Sequence, residues 1–405
     1  MLKTVEIAEA RQRIFREWSG FRGTEEIGLL DALGRCLAED IIAQSSLPGF
    51  GRSTVDGFAV QSRETFGVTE SLPRYLEVIG ELKMGTLFSG QVQPGQALQI
   101  PTGGALPPGA DAVVMLEYTE WLDEETIGIL RPASPGENVI QPDEDATPGE
   151  KVLEKGSCLR PQELGFLAAL GILRVQVYLP LKVGIISTGN EIVPPEKTPL
   201  SGQVRDVNSY SLYGLVKQSG GQPRLYGIVD DDFLQLKDRI ERSLAENDLV
   251  LISGGSSVGT RDYTVEVLED LSGEPVFFHG LPVKPGKPTV GIVIDGKPVF
   301  GLPGHPVSAT VVYDLMVDPL IRYGDYREVL RPVIMAKLTR NFGSAAGRLD
   351  YLRVRLQQED GQILAEPVLG KSGLISTLVK ADGVVEVPML KEGLLAGEMV
   401  AVKLF

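Results

Sequence analysis

Four stretches of this chain place carboxylates, hydroxyls or lysines beside flexible backbone where apolar runs end. The first runs Val183-Gly184-Ile185-Ile186-Ser187-Thr188-Gly189-Asn190-Glu191, crosses a Pro-rich loop, and resumes at Gly202-Gln203-Val204-Arg205-Asp206. An apolar strand there breaks at Ser187-Thr188-Gly189, presents Glu191, and offers Asp206 just before a helix. Ligands of open parallel sheets bind beyond the carboxyl ends of strands. The second stretch, Ser253-Gly254-Gly255-Ser256-Ser257-Val258-Gly259 with Asp262, joins a strand to a helix. Glycines let successive N–H groups turn inward and a helix N-terminus adds partial positive charge, so this loop predicts an anion nest. The third, Lys284-Pro285-Gly286-Lys287-Pro288, holds two lysines in a stiff, non-helical loop. Such a pair of ammonium groups suits a pyrophosphate or an oxyanion. The fourth, Pro303-Gly304-His305-Pro306-Val307-Ser308, has Pro306 placed for a first helical turn and exposed backbone around Gly304 to grip a ligand.

Further upstream, Arg52-Ser53-Thr54-Val55-Asp56-Gly57-Phe58 sets Asp56 beside hydroxyls, and Pro101-Thr102-Gly103-Gly104 sets Thr102 in a Gly-bounded turn. Asp56, Glu191, Asp206 and Asp262 are hard oxygen donors of the kind that hold Mg²⁺ through one or two carboxylates plus substrate phosphates. Each stretch also has a plain structural use: Asp-Gly makes turns, Gly-rich loops are common, and a lone histidine such as His279 or His305 is more often structural. No Ser-His-Asp order, Walker loop or zinc-ligand spacing occurs. The inventory fits phosphate and oxyanion handling better than acyl transfer or redox work.

The elements that must position these groups fill 405 residues, enough for two to four domains. Hydrophobic content of 43% and charged content of 23% are those of an ordinary globular protein. A net charge of −15 argues against nucleic-acid or anionic-membrane partners, which need basic faces, but leaves room for anionic small molecules. The two cysteines, Cys36 and Cys158, give no disulfide framework and read as buried small hydrophobes. The N-terminus has no signal-peptide core and no apolar run reaches membrane-spanning length, so the expectation is a reduced, cytoplasmic setting.

Periodicity predicts a helix over 4–18 with Ile7, Ile14, Phe15 and Trp18 on one face, and a second short helix over 24–37. From 41 to about 141 the texture turns to strands, with 74–82 alternating and 121–126 a hairpin turn. The acidic, Pro-bounded segment 142–148 reads as a linker with Asp143, Glu144 and Asp145 solvated, and 161–173 as a helix leading into a strand over 174–179. Strands at 182–187, 222–229, 248–253, 275–278, 289–294 and 298–301 alternate with helices near 209–219, 232–246, 262–271 and 306–320, which predicts a doubly wound α/β domain. Strands return from about 331, with Asp360-Gly361 turning between two of them.

Taken together, Ser53–Ala59, Thr102-Gly103-Gly104 with Gly109–Val114, Ser187–Glu191, Ser253–Gly259 with Asp262-Tyr263, Lys284–Pro288 and Leu302–Ser308 resemble the signature loops of the molybdopterin molybdotransferases. These are the molybdenum insertases related to the C-terminal domain of gephyrin. The likeness covers essentially the whole chain in the family's order. It implies a small linking domain over 25–43 and 139–178, an inserted β-rich domain over 45–138, an α/β molybdopterin-binding domain over 1–20 and 179–324, and a C-terminal β domain over 328–405. It further implies molybdate and adenylylated molybdopterin as substrates, Mg²⁺-dependent cleavage of the pyrophosphate link, and release of AMP and molybdenum cofactor. A homodimer with a shared active site is implied, with Asp56 and Thr102 acting in trans. Molybdopterin adenylyltransferase and recipient molybdoenzymes are the implied partners. On this resemblance Glu191, Asp206 and Asp262 organise the metal, and Lys284 and Lys287 join them with Asp56 and Thr102 in catalysis. Ser187, Thr188, Gly189, the run Ser253–Gly259, Pro303, Gly304, His305, Pro306, Ser308 and Ser372 bind the pterin cofactor or the oxyanion. His305 stands where the family usually has Asn, and Val55 and Phe58 where Met and Tyr are usual. The open alternatives are a tungstate-preferring paralogue, the adenylyltransferase of the preceding step, and a non-catalytic gephyrin-like scaffold.

Overall fold

The computed structural model describes residues 4–18, 20, 23–254, 263–324, 326 and 332–405. The chain divides into two compact units, one of residues 1–25, 34–36 and 177–405, the other of 26–33 and 37–176.

The larger unit contains the expected α/β domain. Its six-stranded sheet has the spatial order Gln222–Val229, Lys182–Thr188, Leu249–Ser253, Lys297–Leu302, Val290–Ile294, Phe278–His279. The first four strands run parallel and the last two join antiparallel. The central strands read as continuous apolar runs because both faces are covered. On one face Ile14, Leu212, Val312 and Met316 pack against Ile185, Leu251 and Phe300. On the other, Leu236, Ile240, Val267 and Leu268 pack against Ile186, Val250 and Ile252.

The helix expected near 306–320 is interrupted. It runs Pro306–Val312, widens into a π turn over Tyr313–Val317, and resumes at Asp318–Tyr323. Pro319 has no N–H to give the carbonyl four residues earlier. That carbonyl, Leu315 O, instead accepts from Arg11 Nε and Nη2 at 3.2 and 2.8 Å. The proline thus widens the helix and frees the bond that docks the N-terminal helix Ile7–Glu17.

The same unit ends in a β barrel. Strands Leu349–Glu359, Gln362–Pro367, Val333–Leu338, Met399–Leu404 and Gly383–Val387 close on themselves, because Leu349–Glu359 also pairs with Gly383–Val387. The Asp360-Gly361 turn has both residues at positive φ, 47° and 77°, as a two-residue hairpin demands. The two-residue strand Val283–Lys284 pairs in parallel with Leu349 and Asp350, so the lysine loop of the α/β domain begins as a strand of the barrel sheet.

The smaller unit holds a second six-stranded sheet in the order Ala112–Met115, Gly57–Val60, Gln96–Ile100, Arg74–Glu81, Thr126–Ile129, Thr119–Trp121. The hairpin between Thr119–Trp121 and Thr126–Ile129 turns where expected. Asp143, Glu144 and Asp145 are exposed, and the helix Pro161–Ala169 follows.

Three expectations need correction. Residues Thr24–Gly28 form a strand, not a helix, followed by a single 3₁₀ turn over Leu29–Asp31. Arg174 holds Glu26 at 2.8 Å and Leu29 N–H donates to Leu173 O, and this lateral pairing outweighs local helix propensity. Phe15 is 50% exposed and only edges onto the Trp18 ring, while Ala10 and Ile14 carry the buried face. Neither cysteine is a free thiol, for Cys36 and Cys158 are both disulfide-bonded. Their spacing in sequence carried no sign of this. Among the described residues no helix is long and apolar enough to cross a membrane.

Candidate active site

Strand order locates the site. From Lys182–Thr188 the chain passes through the helix Asn208–Gln218 to one edge, then through Phe233–Glu246 to Leu249–Ser253 on the opposite side. The carboxyl ends of Lys182–Thr188 and Leu249–Ser253 therefore flank a topological switch point, where a crevice opens.

Acidic and carbonyl oxygens gather on this side. Asp206 is 7% exposed, and its Oδ1 accepts from the Ser187 hydroxyl and from the Ser209 backbone N–H, both at 3.1 Å. The two serine hydroxyls bond each other at 2.8 Å. Thr188 Oγ1 donates to Asp231 Oδ1 at 3.1 Å, fixing the strand end. A Cβ on Gly189 would stand 2.9 Å from the Glu191 carboxylate, so glycine there lets Glu191 fold back over the strand. Gly254 sits at φ 106°, where a Cβ would meet Thr188 O at 2.1 Å, so this loop too accepts only glycine. Asn208, buried at the start of its helix, donates from Nδ2 to Ser253 Oγ at 2.7 Å and to Gly304 O at 2.8 Å, which ties three loops together.

The cleft, of about 1500 Å³, is also lined by the basic residues Lys284, Lys287, Arg348, Arg353 and Lys371. Lys284 Nζ donates to Asp350 Oδ2 at 3.0 Å; the lysine is half exposed while Asp350 is buried. Ser344 Oγ donates to the same oxygen at 3.0 Å. Arg353 is 7% exposed and donates through Nη2 to Gly370 O at 2.9 Å, but its Nε has no partner, nor has the buried Nε of Arg348. Burial pulls the Arg353 guanidinium below its ordinary pKa, with the Asp350 carboxylate opposing the shift. An arginine so displaced still keeps its charge.

His305 links two of the lining loops. Its Nδ1 shares a 2.8 Å hydrogen bond with Ser372 Oγ, and Ser372 O accepts from Val307 N–H at 3.2 Å. Pro303, Gly304, Pro306, Ser308 and Ser372 line the cleft with it. Glu191 and Asp206 line it as well. Gly255, Ser256, Ser257, Val258, Gly259 and Asp262 lie outside the described residues. Among the described residues no group of three or more His, Cys, Asp or Glu side chains is gathered for a metal. The Asp206 and Glu191 carboxylates still fit a cation that takes most of its ligands from phosphate and water.

In the smaller unit, Asp56 and Thr102 come together. Thr102 N–H and Oγ1 both donate to Asp56 Oδ1, at 2.7 and 3.0 Å. Ser53 O accepts from Gly103 N–H, which closes the turn.

Sequence reasoning missed Arg348, Asp350, Arg353 and Lys371. The available signal was a buried pattern in Leu349–Glu359 that carries an acid and a base among apolar residues, a cost that cores rarely accept without use.

The chain is similar to three family models in succession: the MoeA N-terminal region (domain I and II) over residues 5–171, the "Probable molybdopterin binding domain" over 184–323, and the MoeA C-terminal region (domain IV) over 335–405. It is 34% identical to the molybdopterin molybdenumtransferase of Haemophilus influenzae, with 98% of each chain covered. With that of Bacillus subtilis it shares 32% identity over 94% of this chain and 90% of the relative. Among solved structures it resembles the molybdopterin biosynthesis moeA protein of Pyrococcus horikoshii OT3 at a TM-score of 0.83 and 34% identity, over 100% of both chains. The chain belongs to the MoeA family, several of whose curated members are molybdopterin molybdenumtransferases.

Proposed function

We propose that this protein transfers molybdenum from molybdate to adenylylated molybdopterin in the cytoplasm and cleaves the pyrophosphate link, releasing AMP and molybdenum cofactor. The observation that carries the reading is a single cleft lined both by the switch-point carboxylates Glu191 and Asp206 and by the cationic residues Lys284, Lys287, Arg348, Arg353 and Lys371. A substrate that joins phosphates to a donor-rich heterocycle needs both kinds of group. Lys284, Lys287 and the arginines neutralise phosphate and molybdate oxygens. Ser253 and Gly254, with the rest of the run to Gly259, would add backbone N–H groups, and the Pro303–Ser308 loop with Ser372 holds the oxyanion. Water adds across the P–O–P bond, so one phosphate leaves with AMP and the other stays on the pterin. Glu191 and Asp206, with Asp262, would hold Mg²⁺, which when bound polarises a phosphoryl oxygen. In a homodimer, Asp56 and Thr102 of one subunit complete the cleft of the other. Molybdopterin adenylyltransferase supplies the substrate, and recipient molybdoenzymes take the product.

The test is turnover of adenylylated molybdopterin with Mg²⁺ and either molybdate or tungstate, following AMP and metal in the pterin product. Metal-loaded pterin with stoichiometric AMP is expected, and no AMP with either oxyanion would overturn the reading. One observation favours a second reading. Of the departures from the family pattern, His305 lines the cleft, and its bond to Ser372 puts an ionisable ring in the oxyanion loop. A preference for tungstate in the same assay would make this chain a tungsten-selective member.

A further inference from the structure

We propose that the side-chain carbonyl of Asn208 reads a hydrogen-bond donor on the organic part of the substrate and so sets which end of the cleft the anionic part must take. This rests on the cleft being the substrate site, as proposed above. Asn208 is 6% exposed and lines the cleft. The orientation of its amide follows from its partners. Gly304 O can only accept, so the NH₂ group must face it, and the second N–H is used on Ser253 Oγ. Both donors of the amide are therefore committed to the fold. Its Oδ1 is buried and has no hydrogen-bond partner in the protein. Buried acceptors are nearly always paired, so an unpaired one on a residue that lines the cleft marks a place that a ligand donor fills as the surrounding side chains give way.

The chemistry of that ligand is constrained. Molybdate and ionised phosphodiester oxygens are acceptors only, and a carbonyl oxygen repels them. The basic groups that attract them are other residues of the lining, Lys284, Lys287, Arg348, Arg353 and Lys371. What approaches Asn208 Oδ1 must carry N–H or O–H, as do the amino and ring N–H groups of a pterin or the amine and ribose hydroxyls of an adenosine. The shared chemistry is a donor edge of a heterocyclic nucleotide, and the two sources separate by experiment.

The experiment is calorimetric binding of AMP, metal-free molybdopterin, molybdate and Mg²⁺ to the full chain and to Asn208→Leu and Asn208→Asp. Both variants lose the NH₂ tie to Gly304 and Ser253, but only the aspartate keeps an acceptor at Oδ1. Asn208→Leu is expected to weaken either AMP or molybdopterin by about tenfold or more. Asn208→Asp should retain most of that affinity, and molybdate and Mg²⁺ should bind the parent protein and Asn208→Leu alike. Whichever organic ligand is weakened identifies the moiety that is read. Equal losses in both variants would reduce Asn208 to a structural tie and overturn the inference. A matching loss of molybdate or of Mg²⁺ would overturn it too, by assigning the oxygen to the oxyanion loop or to the cation. Should the leucine variant not fold, the Asn208 side-chain amide resonances of the unmodified protein decide. They should move when AMP or molybdopterin is added and stay put with molybdate. If the unmodified protein binds neither organic ligand, the proposed function itself fails and takes this inference with it. If it binds them and no variant differs, only the inference fails.

Discussion

Asp206 and Arg353 line one cleft and are buried to the same degree, 7% exposed each, yet they are treated differently. Asp206 receives two hydrogen bonds on one oxygen from Ser187 and Ser209. Arg353 makes one bond, to Gly370 O, and keeps a buried Nε without a partner. The carboxylate is held by residues within a single strand-to-helix connection. The guanidinium lies where chain pieces from 284 to 371 converge, and no local motif completes it. The carboxylate oxygen is satisfied before any ligand arrives, whereas the guanidinium has a donor in reserve for an anion. Electrostatic stabilisation acts most strongly when donors already point at the place where charge will sit.

The contrast can be broken at its strongest point first. Lys284→Ala should slow AMP release by roughly 10²–10³, the usual loss for one charge-stabilising group. Its unfolding temperature should fall as well, because the buried Asp350 loses its ion-pair partner and keeps only Ser344. Single-turnover rates beside a thermal melt check both halves, and a loss below tenfold would mean the basic lining does not stabilise the reaction. Asp56→Asn should cost about 10² in rate. Asparagine still offers an oxygen to Thr102, so the turn survives and only the charge is lost. Normal turnover by that variant would remove Asp56 from the mechanism.

A finer test concerns how the lysine is held. Asp350→Asn should raise KM about tenfold with a smaller change in kcat, since the ion pair positions Lys284 without touching the reacting atoms. Asp350→Glu should restore part of the loss, and a fall in kcat alone would contradict a positioning role. The smallest effect lies outside the cleft lining. Glu163 accepts from Arg160 N–H and the Arg160 guanidinium at the start of the helix Pro161–Ala169. Arg160 holds the carboxyl below its ordinary value of 4.5. The folded pKa is lowered, so the stabilisation is complete above that ordinary value and fades as pH falls through the folded one. Glu163→Gln should therefore cost about 0.5–1 kcal/mol at neutral pH and converge with the parent protein in acid. Denaturant midpoints at the two pH values measure it, with activity unchanged.

The carboxylate side was also the legible one. Ser187, Asp206 and Ser253 stand where apolar runs stop, and their chemistry is local, so periodicity and glycine placement sufficed to find them. The Asp360-Gly361 turn was legible for the same reason. The lysine loop could be read as a stiff basic segment, but not its partner Asp350, which comes from a strand more than sixty residues on in the chain. Arg353 alternates along that strand like an outward-facing residue, and only barrel closure reveals its burial. Thr24–Gly28 was misread because Thr-Glu-Glu suits a helix as well as a strand until Arg174 takes Glu26 from the side.

The pairing of Val283–Lys284 with Leu349 and Asp350 bears on how such a protein can be cut or recombined. A fragment that stops before the barrel would retain every residue of the α/β sheet. It would still lose the neighbour strand that gives Lys284 its register and the carboxylate that holds its tip. Chimeras that exchange the terminal barrel for that of a relative must therefore carry the 283–288 loop with it, since the unit of inheritance for this half of the site is the loop and barrel together.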